Sequence, residues 1–334
     1  MAVNLKGRSF LSINDFNPQE VRYLLDLARD LKQQKRAGIR EPRLRGKNIV
    51  LLFEKTSTRT RCAFEVAAAD EGAAVTFLDS ASSQMGKKES LADTAKVLGR
   101  YYDGIEYRGY HQQVVADLAR YAGVPVWNGL TDIDHPTQAL ADIMTIEECV
   151  KKPINRVKLV FCGDTRNNVA YALMYICAKL GIDYVGYGPP QLSPAHEVLA
   201  LCEQAARDSG AGATAATFTI TDDPDALLGA DAVYTDIWAS MGEEEKIPER
   251  VKMLTPFRVT AELMAQTGNP ECIFLHCLPS FHDFETTMAR RQMELGYDIR
   301  EVTDEVFLSD NSKVFDQAEN RMHTIKAVLI ATMG

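Results

Sequence analysis

Short apolar stretches alternate with amphipathic stretches along this chain, and that alternation restricts the possible folds more than any other feature. Asn48–Phe53 is short and apolar, which predicts a buried strand. The segment Thr58–Gly72 then has helical spacing and closes on a glycine, which predicts a helix. Strands that alternate with helices in this way favour parallel sheets covered on both faces. Further strands are predicted at 74–78, 124–128, 156–162, 184–190, 230–235 and 273–279, and further helices at 16–35, 91–99, 114–121, 134–150, 169–181 and 314–333.

The length of the chain and one break in its pattern predict two domains. A chain of 334 residues is long enough for two domains of ordinary size. Lys151-Lys152-Pro153 interrupts the pattern, and a fresh series of strands and helices begins after it. We therefore predict an α/β fold with two domains, 1–150 and 151–319, each with a parallel sheet flanked by helices. The second domain is predicted to be Rossmann-like, because its first strand, turn and helix are typical of a doubly wound unit.

Composition and charge argue against several classes of function. The net charge of −9 argues against nucleic acid as a partner, so any anion must be held by a local basic pocket. The seven cysteines are scattered and form no Cys-x-x-Cys pair, so neither a disulfide framework nor a metal site is predicted. No apolar run approaches the ~20 residues that span a bilayer, and the N-terminus has no apolar signal core. We expect a cytoplasmic protein without membrane attachment.

The motif Ser57-Thr58-Arg59-Thr60 stands where the strand predicted at Asn48–Phe53 meets the next helix. A strand, a tight turn and a helix start bring free backbone N–H groups and the positive end of the helix dipole to one point. The hydroxyl groups and the Arg59 guanidinium add further donors, which together fit a phosphate better than a neutral ligand. Taken alone, the motif is also compatible with an ordinary helix start that carries solvated arginines.

Four more polar positions stand out in and after this half of the chain. Arg108 is the one cation between Gly104 and Gly109, and Arg321 lies early in the final helix. His135 and Gln138 are three residues apart at a helix start that carries a proline, so both project from the same helix end. A lone histidine at a helix start is more often structural, and the neighbouring glutamine is what favours a site here.

In the second half, polar residues follow the predicted strands. The turn after the strand 156–162 holds only Gly163 where a dinucleotide site needs three glycines, so we reject a dinucleotide cofactor and with it a dehydrogenase. Asn167 and Asn168 in that turn can still offer donors to a carboxylate. The segment Asp236–Glu245 is predicted to be a mobile loop that closes on a ligand. His276-Cys277-Leu278 ends a buried strand, where open α/β sheets bind ligands.

Taken together, these motifs resemble the aspartate/ornithine transcarbamoylase family from about residue 8 to the end of the chain. Ser57–Thr60 is shared by all transcarbamoylases. Asp236-Ile-Trp-Ala-Ser-Met-Gly242 and His276-Cys-Leu-Pro279 are typical of the ornithine branch. Small departures occur at Met85 and Lys88, where the family pattern has other residues.

The resemblance implies a role for each motif. The first domain would bind carbamoyl phosphate, with the helix 320–334 packing back onto it, and the second would bind L-ornithine. Catalytic roles would fall to Arg108, His135, Asp236 and Cys277. The carbamoyl phosphate ligands would be Ser57, Thr58, Arg59, Thr60, Gln84, Arg108, His135, Gln138, Cys277, Leu278 and Arg321, and the ornithine ligands would be Asn168, Asp236, Ser240 and Met241.

The family also implies a homotrimer, or a multiple of trimers, in which Gln84 reaches a neighbouring subunit's site. The implied reaction carbamoylates the ornithine δ-amine, gives citrulline and phosphate, and needs no metal or organic cofactor. Two alternatives remain open: a transcarbamoylase for putrescine or an acetylated ornithine, and a non-catalytic sensor of carbamoyl phosphate or an amino acid. The direction of the reaction in arginine metabolism also remains open.

Overall fold

The chain forms two compact units, each built on its own parallel sheet. The computed structural model describes residues 3–82, 85, 88–209, 215–239 and 242–334. The first unit comprises residues 1–144 and 319–334, and the second comprises residues 145–318. The first unit is therefore discontinuous in sequence, because its last stretch follows the whole of the second unit.

The order of elements in the described residues is a regular alternation of strands and helices. The strands are β1 (Asn48–Phe53), β2 (Ala74–Asp79), β3 (Gly104–Arg108), β4 (Val126–Leu130), β5 (Lys158–Cys162), β6 (Asp183–Tyr187), β7 (Phe218–Thr221), β8 (Ala232–Thr235) and β9 (Ile273–His276). The helices are α1 (Pro18–Arg36), α2 (Thr58–Asp70), α3 (Leu91–Tyr101), α4 (Gln112–Ala122), α5 (Pro136–Cys149), α6 (Asn168–Leu180), α7 (His196–Asp208), α8 (Ile247–Leu254), α9 (Ala261–Gln266), α10 (Thr287–Glu294), α11 (Asp304–Phe307) and α12 (Val314–Met333).

The sheet of the first unit has the strand order β2-β1-β3-β4, and all neighbouring strands are parallel. Val126 on β4 packs in a core with residues of α3 and α4, on one face of the sheet. Its neighbour Trp127 points to the other face, where its ring lies 6.4 Å from Phe64 of α2 and its Nε1 donates to Thr332 of α12. Helices therefore cover both faces, as the alternating pattern predicts.

The sheet of the second unit has the order β7-β6-β5-β8-β9, again with all neighbours parallel. One face packs on α9, α11 and the start of α12. On the other face, Tyr184 of β6 lies near Cys177 of α6 and Cys202 of α7. This is the strand order of a doubly wound sheet, so the predicted Rossmann-like architecture is confirmed.

Several elements differ from the sequence-based expectation. β3 is a central strand of its sheet, although Gly104–Gly109 is not predicted as one, because Glu106 and Arg108 interrupt its apolar pattern. β7 and the helices α7 to α11 are also absent from the prediction. The strand predicted at 273–279 ends at His276, since Leu278 has a left-handed backbone with φ of 58°. Among the described helices, none combines the length and the apolar character needed to cross a membrane.

Candidate active site

Both sheets have a point at which the strand order reverses, and the candidate residues cluster after the strands at these points. In the first sheet the reversal falls between β1 and β3, and in the second between β5 and β8. Ligands of open α/β sheets bind in the crevice at the carboxyl ends of such strands. Ser57–Thr60 follows β1 and Arg108 ends β3, whereas Asn168 follows β5 and Asp236 follows β8.

The start of α2 is a ready anion site. Ser57 is the N-cap residue, with extended backbone, and its hydroxyl accepts a hydrogen bond from the Thr60 N–H at 3.2 Å. No acidic side chain occupies the first turn of this 13-residue helix. The positive end of the helix dipole is therefore not neutralised by the helix's own residues, which favours binding of a phosphate there.

Two arginines from distant parts of the sequence meet at Thr60, which is fully buried. Its hydroxyl oxygen accepts a hydrogen bond from Arg108 at 3.1 Å and another from Arg321 at 2.5 Å. Arg321 is itself only 4% exposed. Because the Thr60 hydroxyl oxygen is neutral, this contact orients both guanidinium groups without itself cancelling either charge.

His135 lies within the electrostatic range of the same arginines. It is 3% exposed, and burial holds the pKa of its imidazole well below the ordinary value. The positive charges of Arg321, Arg108 and Arg59 lower that pKa further. The ring is therefore neutral at physiological pH, and a neutral imidazole with one N–H can donate to a developing oxyanion.

Gln138 lies one turn further along α5 and is also buried. Its amide nitrogen donates to Asp142 at 2.7 Å, whereas its carbonyl oxygen has no hydrogen-bond partner in the described part of the chain. The bond to Asp142 fixes which end of the side chain remains available. The available carbonyl can accept a hydrogen bond from an amide or amine of a ligand.

Glu106 is a buried ionisable residue that was not predicted from the sequence. It lies in the middle of β3, is 0% exposed, and neither of its carboxyl oxygens has a hydrogen-bond partner among the described residues. Burial raises the pKa of this carboxyl well above its usual value, and the charges of Arg108 and Arg321 oppose that rise only in part. An acid inside the strand-like run Gly-Ile-Glu-Tyr-Arg was the available signal in the sequence.

In the second unit, Asp236 collects three hydrogen bonds. The Cys277 thiol donates to its Oδ1 at 3.3 Å, the Ile237 N–H donates to the same oxygen at 2.8 Å, and the Asn167 amide donates to Oδ2 at 3.2 Å. Burial raises the pKa of this carboxyl, and the nearby His276 is the main opposing influence. The second unit thus joins the carboxyl ends of β5, β8 and β9 in one polar cluster.

Asn167 has a larger part in this cluster than the sequence suggested. It is the N-cap of α6, where its carbonyl accepts from the Ala170 N–H at 2.7 Å, and its amide holds Asp236. Asn168, the predicted ligand, is the first residue of that helix. Its position at the helix start is suited to a carboxylate ligand, as the sequence predicts.

The turn after β9 is fixed by a buried pair that the sequence did not reveal. His276 accepts the Leu278 N–H on Nδ1 at 2.9 Å, so its ring proton lies on Nε2, which is 3.1 Å from Glu301 Oε1. Both side chains are 0% exposed. The same Glu301 oxygen accepts bonds from Ser280 and the Phe281 N–H, each at 2.7 Å. These bonds set the positions of Cys277 and Leu278, which lie between the two anchored ends.

Three predicted ligands, Gln84, Ser240 and Met241, lie outside the described residues. Within those residues, two groups bring ligand atoms within 4.8 Å of one another and could hold a cation: Asp236 with His276 and Cys277, and His282 with Asp283 and Asp304. Each group already forms internal polar contacts, at 3.3 Å between Cys277 and Asp236 and at 2.6 Å between His282 and Asp304.

Comparison with known proteins identifies the family to which this chain is similar. Residues 8–148 match the carbamoyl-P binding domain of aspartate/ornithine carbamoyltransferases, and residues 155–332 match the Asp/Orn binding domain of the same family. The chain is 62% identical to a protein of Clostridium perfringens named "Ornithine carbamoyltransferase, catabolic", with both chains covered in full. It is 55% identical to "Ornithine carbamoyltransferase 1, catabolic" of Staphylococcus epidermidis, with 99% of each chain covered.

A solved structure, the ornithine carbamoyltransferase from Pyrococcus furiosus, is similar over 100% of this chain and 99% of its own. The TM-score is 0.89 at 42% sequence identity. Both halves of the chain match the family in sequence, and the whole chain matches it in fold. The chain therefore belongs to the aspartate/ornithine carbamoyltransferase family.

Proposed function

We propose that this protein transfers the carbamoyl group of carbamoyl phosphate to the δ-amine of L-ornithine, giving L-citrulline and phosphate. The observation that carries the proposal is the arrangement of Arg108 and Arg321 on the Thr60 hydroxyl, beside a neutral His135 and a helix start. Two relatives that align over almost the whole chain are named for the same activity.

The first unit is proposed to bind carbamoyl phosphate. The backbone at Ser57–Thr60 and the hydroxyl groups of that motif would hold the phosphate oxygens, with Arg59, Arg108 and Arg321 supplying charge. This assignment is supported by the absence of an acidic residue from the first turn of α2. The leaving phosphate gains negative charge as its bond to carbon breaks, and oriented guanidinium groups stabilise that charge without reorganisation.

The carbamoyl group is proposed to face His135 and Gln138. Attack of the amine on the carbonyl carbon gives a tetrahedral intermediate with a negative oxygen. Thr58, Arg108 and His135 would donate hydrogen bonds to that oxygen, and the available Gln138 carbonyl would accept one from the carbamoyl amide. The depressed pKa of His135 suits this role, because a permanently neutral imidazole donates without holding a full charge before the reaction.

The second unit is proposed to bind L-ornithine. Asn168, Asp236, Ser240 and Met241 would hold its α-carboxylate and α-amine, and Leu278 and Cys277 would offer backbone carbonyls to the reacting groups. The δ-amine reacts only when it is neutral, and an alkylamine of this kind has a pKa near ~10.4 in water. We propose that Asp236 and the Cys277 thiol, which are hydrogen-bonded to each other, assist removal of the proton.

The oligomeric state and the cellular location are proposals that rest on membership of the family. We propose a homotrimer, or a multiple of trimers, in which Gln84 reaches the site of a neighbouring subunit, and a cytoplasmic location. We also propose that the carbamoyl phosphate domain comprises residues 1–150 with 320–334, and that the ornithine domain comprises 151–319. No metal or organic cofactor is required by the proposed chemistry, because positioning and electrostatic stabilisation can supply the rate enhancement.

The test is an assay of product formation from carbamoyl phosphate with four acceptors side by side: L-ornithine, putrescine, N-acetylornithine and L-aspartate. We expect a strong preference for L-ornithine. Equal or better use of another amine would leave the carbamoyl transfer standing and overturn the acceptor. No product with any acceptor, together with intact binding of carbamoyl phosphate, would favour a sensor. An Arg321→Gln variant serves as the matched inactive control, since it removes one guanidinium from Thr60.

A further inference from the structure

The residue before His135 is a buried acid that the proposed reaction does not use. Asp134 is 2% exposed, and both of its carboxyl oxygens are buried without a well-formed hydrogen bond to any described residue. An ionised carboxylate in such a place is costly, because burial removes most of the water that solvates it elsewhere. We therefore expect a function that would explain a buried carboxyl group at Asp134.

The backbone of Asp134 closes the loop between β4 and α5. The Thr131 N–H donates to the Asp134 carbonyl at 2.9 Å, and the Asp134 N–H donates to the Thr131 hydroxyl at 3.3 Å. His135 comes next in the chain, and Pro136 begins α5. Any shift of Asp134 is therefore transmitted directly to the backbone that carries His135.

An N-terminal segment, Phe10–Asp15, lies along β4 next to this loop. The Phe10 N–H donates to Val126 at 2.8 Å, and the Asn128 N–H donates to the Phe10 carbonyl at 2.9 Å. The segment continues into a short 3-10 turn, Ile13–Asp15, which is capped by Ser12, and Ile13 is fully buried. The segment is thus fixed to the strand that leads into the loop.

Side-chain hydrogen bonds connect the same segment with Thr131. The Leu11 carbonyl accepts from the amides of Asn128 at 2.9 Å and Gln112 at 3.3 Å. The Gln112 carbonyl oxygen in turn accepts from the Thr131 hydroxyl at 2.6 Å. A continuous polar network therefore runs from the N-terminal segment to the residue that holds Asp134.

We propose that Asp134 is a positioning residue for His135 that acts in its protonated form: neutral Asp134 lets the segment Phe10–Asp15 close on the β4–α5 loop, and ionisation loosens that closure. The inference rests on the proposed role of His135 toward carbamoyl phosphate. The inference adds that the protonation state of Asp134 controls the loop that carries His135.

The surroundings of Asp134 place its ionisation close to neutrality. Burial raises the pKa of its carboxyl to about 7, and the charge of Asp15 on the N-terminal turn adds to that rise. The Ser12 hydroxyl and the N–H groups of His135 and Ile13 act in the opposite direction. The pKa of Asp134 therefore depends on how closely the N-terminal turn packs against the loop.

The polar side chains that join the loop to the N-terminal segment are uncharged. Asn128 on β4 and Gln112 on α4 are uncharged, and burial keeps His135 neutral. Asp132, in the same loop, is 49% exposed and pairs with Lys55 at 2.9 Å. Ionisation of Asp134 thus places a second negative charge near Asp15 and creates a buried carboxylate beside a site that binds an anion.

The first test compares wild type with Asp134→Asn, which keeps the shape of the side chain and removes its ionisation. Calorimetric titration gives the dissociation constant for carbamoyl phosphate from about pH 6 to about pH 8. The ratio of the two constants cancels the titration of the ligand itself. We expect wild type to bind as tightly as the variant at the acid end and more weakly above pH 7, by up to about tenfold per pH unit for one linked proton.

A ratio that does not change with pH would overturn the inference while leaving the proposed function intact. Failure of both proteins to bind carbamoyl phosphate would instead remove the proposed function, and this inference with it. Asp132→Asn is the matched control, because it removes one charge from the same loop at an exposed position. If that variant flattens the pH dependence as strongly as Asp134→Asn, a general charge effect replaces the proposal.

A second variant tests the same inference if Asp134→Asn does not fold. Asp15→Asn leaves Asp134 in place and removes the charge that raises its pKa, so the midpoint of the pH dependence should move to lower pH. A purely structural role for Asp134 predicts no such movement.

In wild type, folding raises the pKa of the Asp134 carboxyl, so the free energy of unfolding should fall as pH rises from about 4 to about 7. The Asp134→Asn variant should lack this fall.

Discussion

Thr60 is the single side chain on which the proposed carbamoyl phosphate site depends most directly. Its hydroxyl oxygen holds two guanidinium groups, one from β3 and one from α12. Thr60→Val keeps the shape and removes that oxygen. A hydrogen bond to a charged group contributes about 1.5–3 kcal/mol, so carbamoyl phosphate affinity should fall at least roughly tenfold. Measured binding constants at one pH check this expectation.

The matched control for that change is Thr332→Val in the same unit. Thr332 is also buried, and its hydroxyl accepts a hydrogen bond from Trp127 at 3.0 Å, but it takes no part in the arginine cluster. It should lose stability and keep its affinity for carbamoyl phosphate. Equal loss of affinity in both variants would mean that Thr60 acts through the general integrity of the fold.

At the scale of single residues, the donors of the proposed site were easier to predict from the sequence than its buried acids. Ser57, Arg108 and His135 could be predicted because hydroxyl, guanidinium and imidazole groups at strand ends and helix starts have a clear chemical meaning. Glu301 could not, since its contact His276 is remote in sequence, and Glu106 is marked only by its place inside a strand-like run, where its carboxyl oxygens have no hydrogen-bond partner among the described residues. The contact of Glu301 with His276 spans 25 positions, as their numbers show.

At the scale of elements, the first turn of α2 is capped by Ser57 and is also part of the proposed phosphate site. Ser57→Ala should cost about 1 kcal/mol of stability through loss of the N-cap bond, and it should also weaken carbamoyl phosphate binding. Thr286→Ala is the control, because Thr286 caps α10 in the same way, by accepting the Ala289 N–H at 3.1 Å. Thermal unfolding should report a similar loss for both variants.

Only the Ser57 variant should show weaker ligand binding. If Thr286→Ala weakens carbamoyl phosphate binding to the same degree, the effect comes from stability and not from the anion site. The comparison therefore separates the two tasks of one residue: closing the first turn of a helix, and leaving its remaining N–H groups oriented for a ligand.

Strands were predictable where apolar residues run without interruption, as in β1 and β5. β3 was not, because a glutamate and an arginine occupy positions that a buried strand usually fills with apolar side chains. Its place between β1 and β4 is enforced by backbone pairing on both sides. Helices α8 to α10 are short, with eight, six and eight residues, and so show too few turns for a clear helical period.

At the scale of the whole molecule, the two units should respond to different ligands. Hydrogen–deuterium exchange with carbamoyl phosphate alone should slow exchange at the start of α2 and of α5. L-Ornithine added afterwards should slow exchange at the start of α6 and after β9. A ligand present at 100 times its dissociation constant stabilises the form it binds by about 2.7 kcal/mol, which is ample for detection. Protection by carbamoyl phosphate confined to α6 and β9 would contradict the proposed division.

The discontinuous first unit has a consequence for biosynthesis. Arg321 and Thr332 belong to that unit, yet a ribosome makes residues 145–318 before either of them. The strands of the first sheet can pair early, but Trp127 must wait for Thr332, and Thr60 must wait for its second guanidinium. A nascent chain thus cannot complete the arginine cluster until translation reaches α12, so the proposed carbamoyl phosphate site is completed only after the whole second unit has been made.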